Sequence, residues 1–232
     1  MRFYSVLIVT VLLMIGKGVC EEAKKKESVK ETETKAPAKS QAHPLDAVQS
    51  QNLLGDFRKF KEAVLAQSPE SKEWQGRFSN GWHAHFWHRE TTGIIWFGKT
   101  RGENGKSFGI INSSGKSSGE IFSRKVEVKA PRIYKFIVFY KTTPEVKANI
   151  GFRFKGDLDV KLLKHDPVRW VGKAWKSKGN SFLLHTTNGT WRYFRCKYQV
   201  TRGSGTLEVV FKNQTSGEYA AFLFRYPTLI AQ

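Results

Sequence analysis

From residue 82 onward the chain repeats one pattern: a short run rich in Val, Ile, Phe, Tyr and Trp, then a cluster of Gly, Asn, Ser or Pro. β-Branched and aromatic side chains fit a pleated, half-buried surface, and the clusters between them supply turn backbone, so the pattern predicts an antiparallel all-β fold. The most informative run is 133–140. Ile133, Lys135, Ile137 and Phe139 fall on one face of a strand and Tyr134, Phe136, Val138 and Tyr140 on the other. Such a strand is apolar on nearly both sides and belongs in the middle of a sheet. Further strands are predicted at 82–88, 94–99, 107–112, 121–129, 149–154, 159–163, 180–185, 191–201, 206–213 and 220–225. Around ten strands with turn signals between them suit a two-sheet antiparallel β-sandwich, or jelly roll, better than a layered α/β arrangement. Only 57–66, with Phe57, Phe60, Val64 and Leu65 at helical spacing, reads as a helix.

Residues 1–50 follow other rules. Arg2 precedes an apolar run over 6–15, with Gly16, Gly18 and Cys20 behind it, so residues 1–20 read as a secretory signal peptide too short to span a bilayer. Export then places the protein outside the cell, in the periplasm or in the cell envelope. Lipidation at Cys20 is the alternative and the only route to a membrane, but Val19 and Lys17 stand where such a signal has a small and an apolar residue. Residues 21–50 mix Lys, Glu, Ser, Thr, Ala and Pro with almost nothing to bury, which predicts a disordered linker. Its lysines (24, 25, 26, 30, 35, 39) are balanced by Glu21, Glu22, Glu27, Glu31, Glu33 and Asp46, and Arg2 and Lys17 account for two charges, so +17 of the net charge of +19 belongs to the folded domain, residues 51–232, where 31 basic residues face 14 acidic ones. That excess predicts attraction to polyanions. Two cysteines exclude a disulfide-built miniprotein, and Cys196 inside a strand reads as a buried, inert thiol.

Several motifs occur in a fixed order. Asn52-Leu53-Leu54-Gly55-Asp56-Phe57 opens the domain and Gly81-Trp82 follows. Gly119-Glu120-Ile121-Phe122 leads into Val126-Glu127-Val128-Lys129-Ala130-Pro131-Arg132-Ile133-Tyr134-Lys135-Phe136, and Asn188-Gly189-Thr190-Trp191-Arg192-Tyr193-Phe194 precedes a Gly-rich turn at Gly203 and Gly205 and a last strand. Over residues 51–229 this order resembles the galactose-binding-like jelly roll of carbohydrate-binding modules appended to xylanases and cellulases. The resemblance implies a sugar cleft that draws on the loop after the 107–112 strand and on the 133–140 strand, which points to Lys116 and Tyr140. It also implies a structural calcium ion held by carboxylates, but here Arg58 and Arg225-Tyr226-Pro227 occupy those places. A guanidinium has donors and no lone pair for a hard cation, so no metal and no cofactor is expected.

Aromatic side chains interleaved with Lys and Arg are the richest chemical feature. A flat ring stacks on the apolar face of a pyranose while a cation reaches hydroxyl, carboxylate or sulfate groups. Trp96 and Trp175 join Lys116 and Tyr140 as carbohydrate-binding candidates on this ground, whereas Trp82, Trp191 and Tyr134 are assigned to core packing. The same mixture suits single-stranded nucleic acid, which export argues against. His83 and His85 share a strand face but lack a full ligand set for a metal. No Gly-x-Ser-x-Gly elbow is present, Gly203-Ser204-Gly205 reads as a hairpin-like turn, and nothing sets two acids face to face, so no catalytic residue is assigned. Asparagine glycosylation triplets begin at Asn112, Asn188 and Asn213, all near turns. The reading that follows is a secreted, non-catalytic module for polysaccharide, with anionic polysaccharide favoured. The alternative is an envelope interaction module whose basic face meets polyanions or a protein partner.

Overall fold

The computed structural model describes residues 51–66, 74–87, 93–100, 105–112, 118–144, 146–167, 169–173, 179–215 and 220–232. The proposed signal peptide and linker lie outside them. The described residues form thirteen antiparallel strands: β1 (Ala63–Ala66), β2 (Trp74–Arg77), β3 (His83–Trp87), β4 (Gly93–Lys99), β5 (Lys106–Asn112), β6 (Ser118–Phe122), β7 (Val126–Lys129), β8 (Arg132–Thr142), β9 (Ala148–His165), β10 (Arg169–Lys173), β11 (Asn180–Leu183), β12 (Arg192–Asn213) and β13 (Ala220–Ala231). The all-β antiparallel architecture is as predicted, and 133–140 is indeed central, with β8 paired to β12 on one side and β13 on the other.

The two layers are not separate sheets. One layer runs β1-β4-β5-β13-β8 and the other contains β2-β3-β6, with β12 continuing into both. Residues 192–200 of β12 pair with β8, 204–207 with β7 and 210–213 with β6. β9 follows β12 along its other edge, and β11 and β10 extend the second layer from β9. The 159–163 and 149–154 predictions are thus halves of one strand, as are 191–201 and 206–213. The register shift between Val200 and Arg202 marks the bend, where Gly156 and Gly203 take φ of 117° and 77°. A side chain at Gly203 or Gly205 would run into the backbone of Asp157 or Lys155. The predicted turn at 203–205 is therefore strand interior, its glycines serving close backbone approach.

Aromatic rings fill the space between the layers. Phe211 of β12 stacks on Phe224 of β13 with centroids 3.8 Å apart, Phe108 lies between Trp82 and Phe224 at 4.9 Å from each, and Phe136 meets Phe152 edge-on at 5.0 Å. Trp82 and Tyr134 belong to this core, as expected. The predicted helix at 57–66 does not form. Phe57 and Phe60 bury together from a single 3₁₀ turn, Phe57–Lys59, with centroids 4.6 Å apart, and the chain then becomes β1, which pairs with β4. Val64 is thereby 72% exposed. The 121–129 prediction breaks at Ser123, whose main-chain N–H donates to the Val209 carbonyl while its Oγ accepts from Val209 N–H.

The opening motif has a specific task. The buried Asn52 side chain uses all four of its hydrogen-bonding positions: Oδ1 accepts from Leu54 and Leu229 N–H at 3.1 and 2.9 Å, and Nδ2 donates to the Gly55 and Pro227 carbonyls at 3.0 and 2.9 Å. This ties the start of the domain to its last strand and seats Leu54, rather than Leu53, fully in the core. Asn52→Ala leaves four main-chain groups without this partner and is expected to cost at least about 2 kcal/mol in urea unfolding. A loss below roughly 0.5 kcal/mol would show that the tie is dispensable.

Candidate functional site

Strand β8 divides its side chains by parity. Tyr134, Phe136, Val138 and Tyr140 point into the core, and Ile133, Lys135, Ile137, Phe139 and Lys141 are half-buried on the outer side. Residues directly opposite on neighbouring strands share a face, so the pairing extends this outer surface across the layer. One row reads Val64, Trp96, Gly109, Leu223 and Lys141. The next reads Arg225, Phe139 and Tyr193.

Contacts within these rows hold the rings in place. The Arg225 guanidinium lies 4.0 Å from the centroid of Trp191, and Lys141 Nζ lies 5.9 Å from the same ring. Phe139 meets Tyr193 edge-on at 6.5 Å, and Tyr193 remains 53% exposed. The Arg195 guanidinium sits 4.7 Å from Tyr193 while it forks the Asp166 carboxylate, with Nη2 to Oδ1 at 3.0 Å. That hydrogen bond raises the pKa of Arg195. Trp96 packs its ring directly over Gly109, where any side chain would collide with it. Rings fixed by cation–π contact or by a glycine seat lose little freedom when a ligand stacks on them, and the cations beside them can reach polar substituents.

Of the four residues singled out from sequence, Trp96 is on this outer face, half-buried. Tyr140 requires correction: it is 2% exposed and shares the inward parity of Phe136 and Val138, so its ring has no open face. Burial raises the pKa of its phenol. Lys116 and Trp175 lie outside the described residues. The core assignment of Trp191 is also corrected, since it stands half-buried beside Arg225 and Lys141. Phe139, Lys141, Tyr193, Arg195 and Arg225 were not singled out as binding residues; the alternation of 133–140 grouped Phe139 with Ile133, Lys135 and Ile137 but left open which side is outward. Two glycosylation triplets are closed, because Asn112 and Asn213 are fully buried and donate to main-chain carbonyls. Asn188 is exposed in a turn.

The second layer carries a different polar group on its outer side. Phe122 and Val210 are buried there, apart from the core cluster. Glu120 pairs with Lys212 at 2.9 Å and Glu208 with Arg153 at 3.7 Å. His83 stacks on Phe122 at 4.6 Å and 1°, with the Arg153 guanidinium 4.9 Å from the same ring. His85 is buried opposite Glu120. Among the described residues no three His, Cys, Asp or Glu side chains converge on a metal position. Cys196 is a buried free thiol whose pKa burial raises well above the ordinary value.

No protein-family model matches the chain, and no curated protein matches it in sequence. Solved structures that it is similar to include two carbohydrate-binding modules. One is a family 16 carbohydrate-binding module-2, at 18% identity and a TM-score of 0.36, covering 60% of this chain and 84% of that one. Another is the CBM22-1 xylan-binding domain of Paenibacillus barcinonensis Xyn10C, at 11% identity and 0.38, covering 73% and 94%. A third is the enzymatically active domain of bacteriophage CBA120 tailspike protein 4, at 10% identity and 0.42, covering 79% of this chain; the chain spans 20% of the tailspike domain's length.

The second-layer histidine sets a pH test. Burial, the largest cause, lowers the pKa of His83, opposed by the charge of Glu208 and reinforced by Lys125, His85 and Arg77. The unfolded chain therefore binds the proton more readily, and stability falls as pH drops below the ordinary histidine value of about 6.5. Urea midpoints measured from pH 7.5 down to pH 5 should decline less steeply in His83→Gln than in the wild type, on the order of the single group removed. Parallel profiles would remove His83 from this role.

Proposed function

We propose that this is an exported, non-catalytic polysaccharide-binding protein whose site is the outer face of the β4-β5-β13-β8-β12 layer. The observation that carries the reading is the cross-strand register, which brings Trp96, Phe139 and Tyr193 to one face together with Lys141 and Arg225, against which the Trp191 ring packs. The rings supply stacking surfaces for pyranose faces, and the cations reach carboxylate or sulfate substituents, so an anionic glycan is the favoured ligand. Lys116 and Trp175 belong to the proposal on sequence grounds alone. Export rests on the sequence of residues 1–20 and the linker on that of 21–50.

The disposition of the acids supports binding over hydrolysis. Glycoside hydrolysis needs two carboxyl groups facing each other across a scissile bond. Of the eight acids among the described residues, Asp56, Glu62, Glu120, Asp166 and Glu208 each hold a cation instead, and Glu127, Asp157 and Asp159 are exposed on the strands.

Affinity-gel retardation tests the reading. The wild type should be slowed by at least one of a panel of neutral, uronate-containing and sulfated polysaccharides. Trp191→Ala, which removes a ring outside the core, should weaken that binding by roughly tenfold or more. Absence of retardation across the whole panel at low salt, or full retention by Trp191→Ala, contradicts it.

A further inference from the structure

Two rows along from Phe139, the same outer face carries lysines in register on three adjacent strands: Lys135 of β8 faces Lys197 of β12, which faces Lys164 of β9. The fourth position of this row, on β13, is Ile230. Lys161 follows one row further, opposite Gln199. Lys161 and Lys164 are exposed and Lys135 and Lys197 half-buried. None of the ion pairs among the described residues engages these four lysines. The nearest acid along the chain from Lys164, Asp166, is already held by Arg195.

Like charges placed directly opposite one another destabilise a sheet, so folding alone does not account for the row. Lysines on a sheet edge protect it from pairing with another chain, which explains Lys164 and Lys161 on β9 but not Lys135 and Lys197. Those two sit on strands with hydrogen-bonded neighbours on both sides. A locally unfavourable feature retained on an open face marks a place where a partner supplies the missing charge.

Resting on the polysaccharide-binding reading of this face, we propose that Lys135, Lys197 and Lys164 form an anion subsite of the same site. It grips the charged substituents of an acidic polysaccharide whose sugar rings stack at the Trp191 and Tyr193 end. Lys135 lies four residues from Phe139 on β8, about 13 Å along the strand. A ligand that engages both ends is therefore an extended acidic chain of several sugar units lying along β8 and β12. Monosaccharides and uncharged glycans meet only the aromatic end.

The test compares two charged polymers with their uncharged counterparts, polygalacturonate with its full methyl ester and dextran sulfate with dextran, using the wild type, Lys135→Ala/Lys197→Ala and Trp191→Ala. The wild type should prefer the charged member of at least one pair. The double lysine variant should lose about tenfold in affinity for that polymer while keeping its affinity for the uncharged counterpart. Its melting temperature should be unchanged or raised, since a like-charge contact is removed. Trp191→Ala should lose affinity for both members of the pair. If the double variant binds the charged polymer as tightly as the wild type while Trp191→Ala does not, the anion subsite is wrong and the aromatic site stands. If the wild type retains none of the four polymers, the underlying reading fails with it. Tighter binding of single-stranded DNA or of anionic phospholipid vesicles than of either acidic polymer, at equal salt, also overturns the proposal.

Discussion

The alternation of β8 is the constraint on which both the core and the surface depend. Because this strand is hydrogen-bonded on both sides, its register fixes which residues of β12 and β13 share each face. In the observed register Phe136 and Tyr134 meet the aromatic core while Lys135 and Lys141 remain outside. A slip of one residue would put those lysines into the core and expose the rings. The interlayer stacks, Phe211 on Phe224 above all, reward only one choice of register. The bent pair β9 and β12 then locks the second layer to the first through main-chain hydrogen bonds, so the position of the outer rings is a consequence of core packing.

The two outer faces handle charge in opposite ways. On the second layer the buried acids Glu120 and Glu208 sit within reach of the half-buried Lys212 and Arg153, a self-neutralising arrangement. On the first layer Lys141 and Arg225 lean on aromatic rings, and Lys135, Lys197 and Lys164 stand beside one another. An ammonium or guanidinium over a ring keeps its charge available to a further partner, whereas a buried ion pair does not. The chain's net charge of +19 thus gains a direction at the first layer, where Lys135, Lys197 and Lys164, which no ion pair among the described residues engages, coincide with stacking surfaces.

Much of this was legible in the sequence, for reasons that also mark its limits. Period-two alternation identified the strands and grouped Ile133, Lys135, Ile137 and Phe139 correctly. It cannot say which side of an apolar strand faces the core, so it offered no check on Tyr140, which the resemblance pointed to as a sugar-binding residue, or on Trp191, which was assigned to core packing, and packing dictates the reverse for both. Glycines at 203 and 205 read as a turn because backbone freedom serves turns and close strand approach equally. The helical spacing of Phe57 and Phe60 was real, but a single 3₁₀ turn buries both rings, and residues 63–66 gain hydrogen bonds to β4 that a helix would forgo. The lysine row depends on pairing between strands distant in sequence and leaves no local signature.

The most direct test of a glycan-binding outer face is an amide and indole chemical-shift map recorded while an acidic oligosaccharide of several units is titrated into the isotope-labelled protein. Perturbations concentrated at Trp96, Lys141, Trp191, Tyr193 and Lys197, with His83, Glu120 and Arg153 unmoved, are the expected result. Shifts confined to the His83 and Arg153 side, or none at saturating ligand, would contradict it.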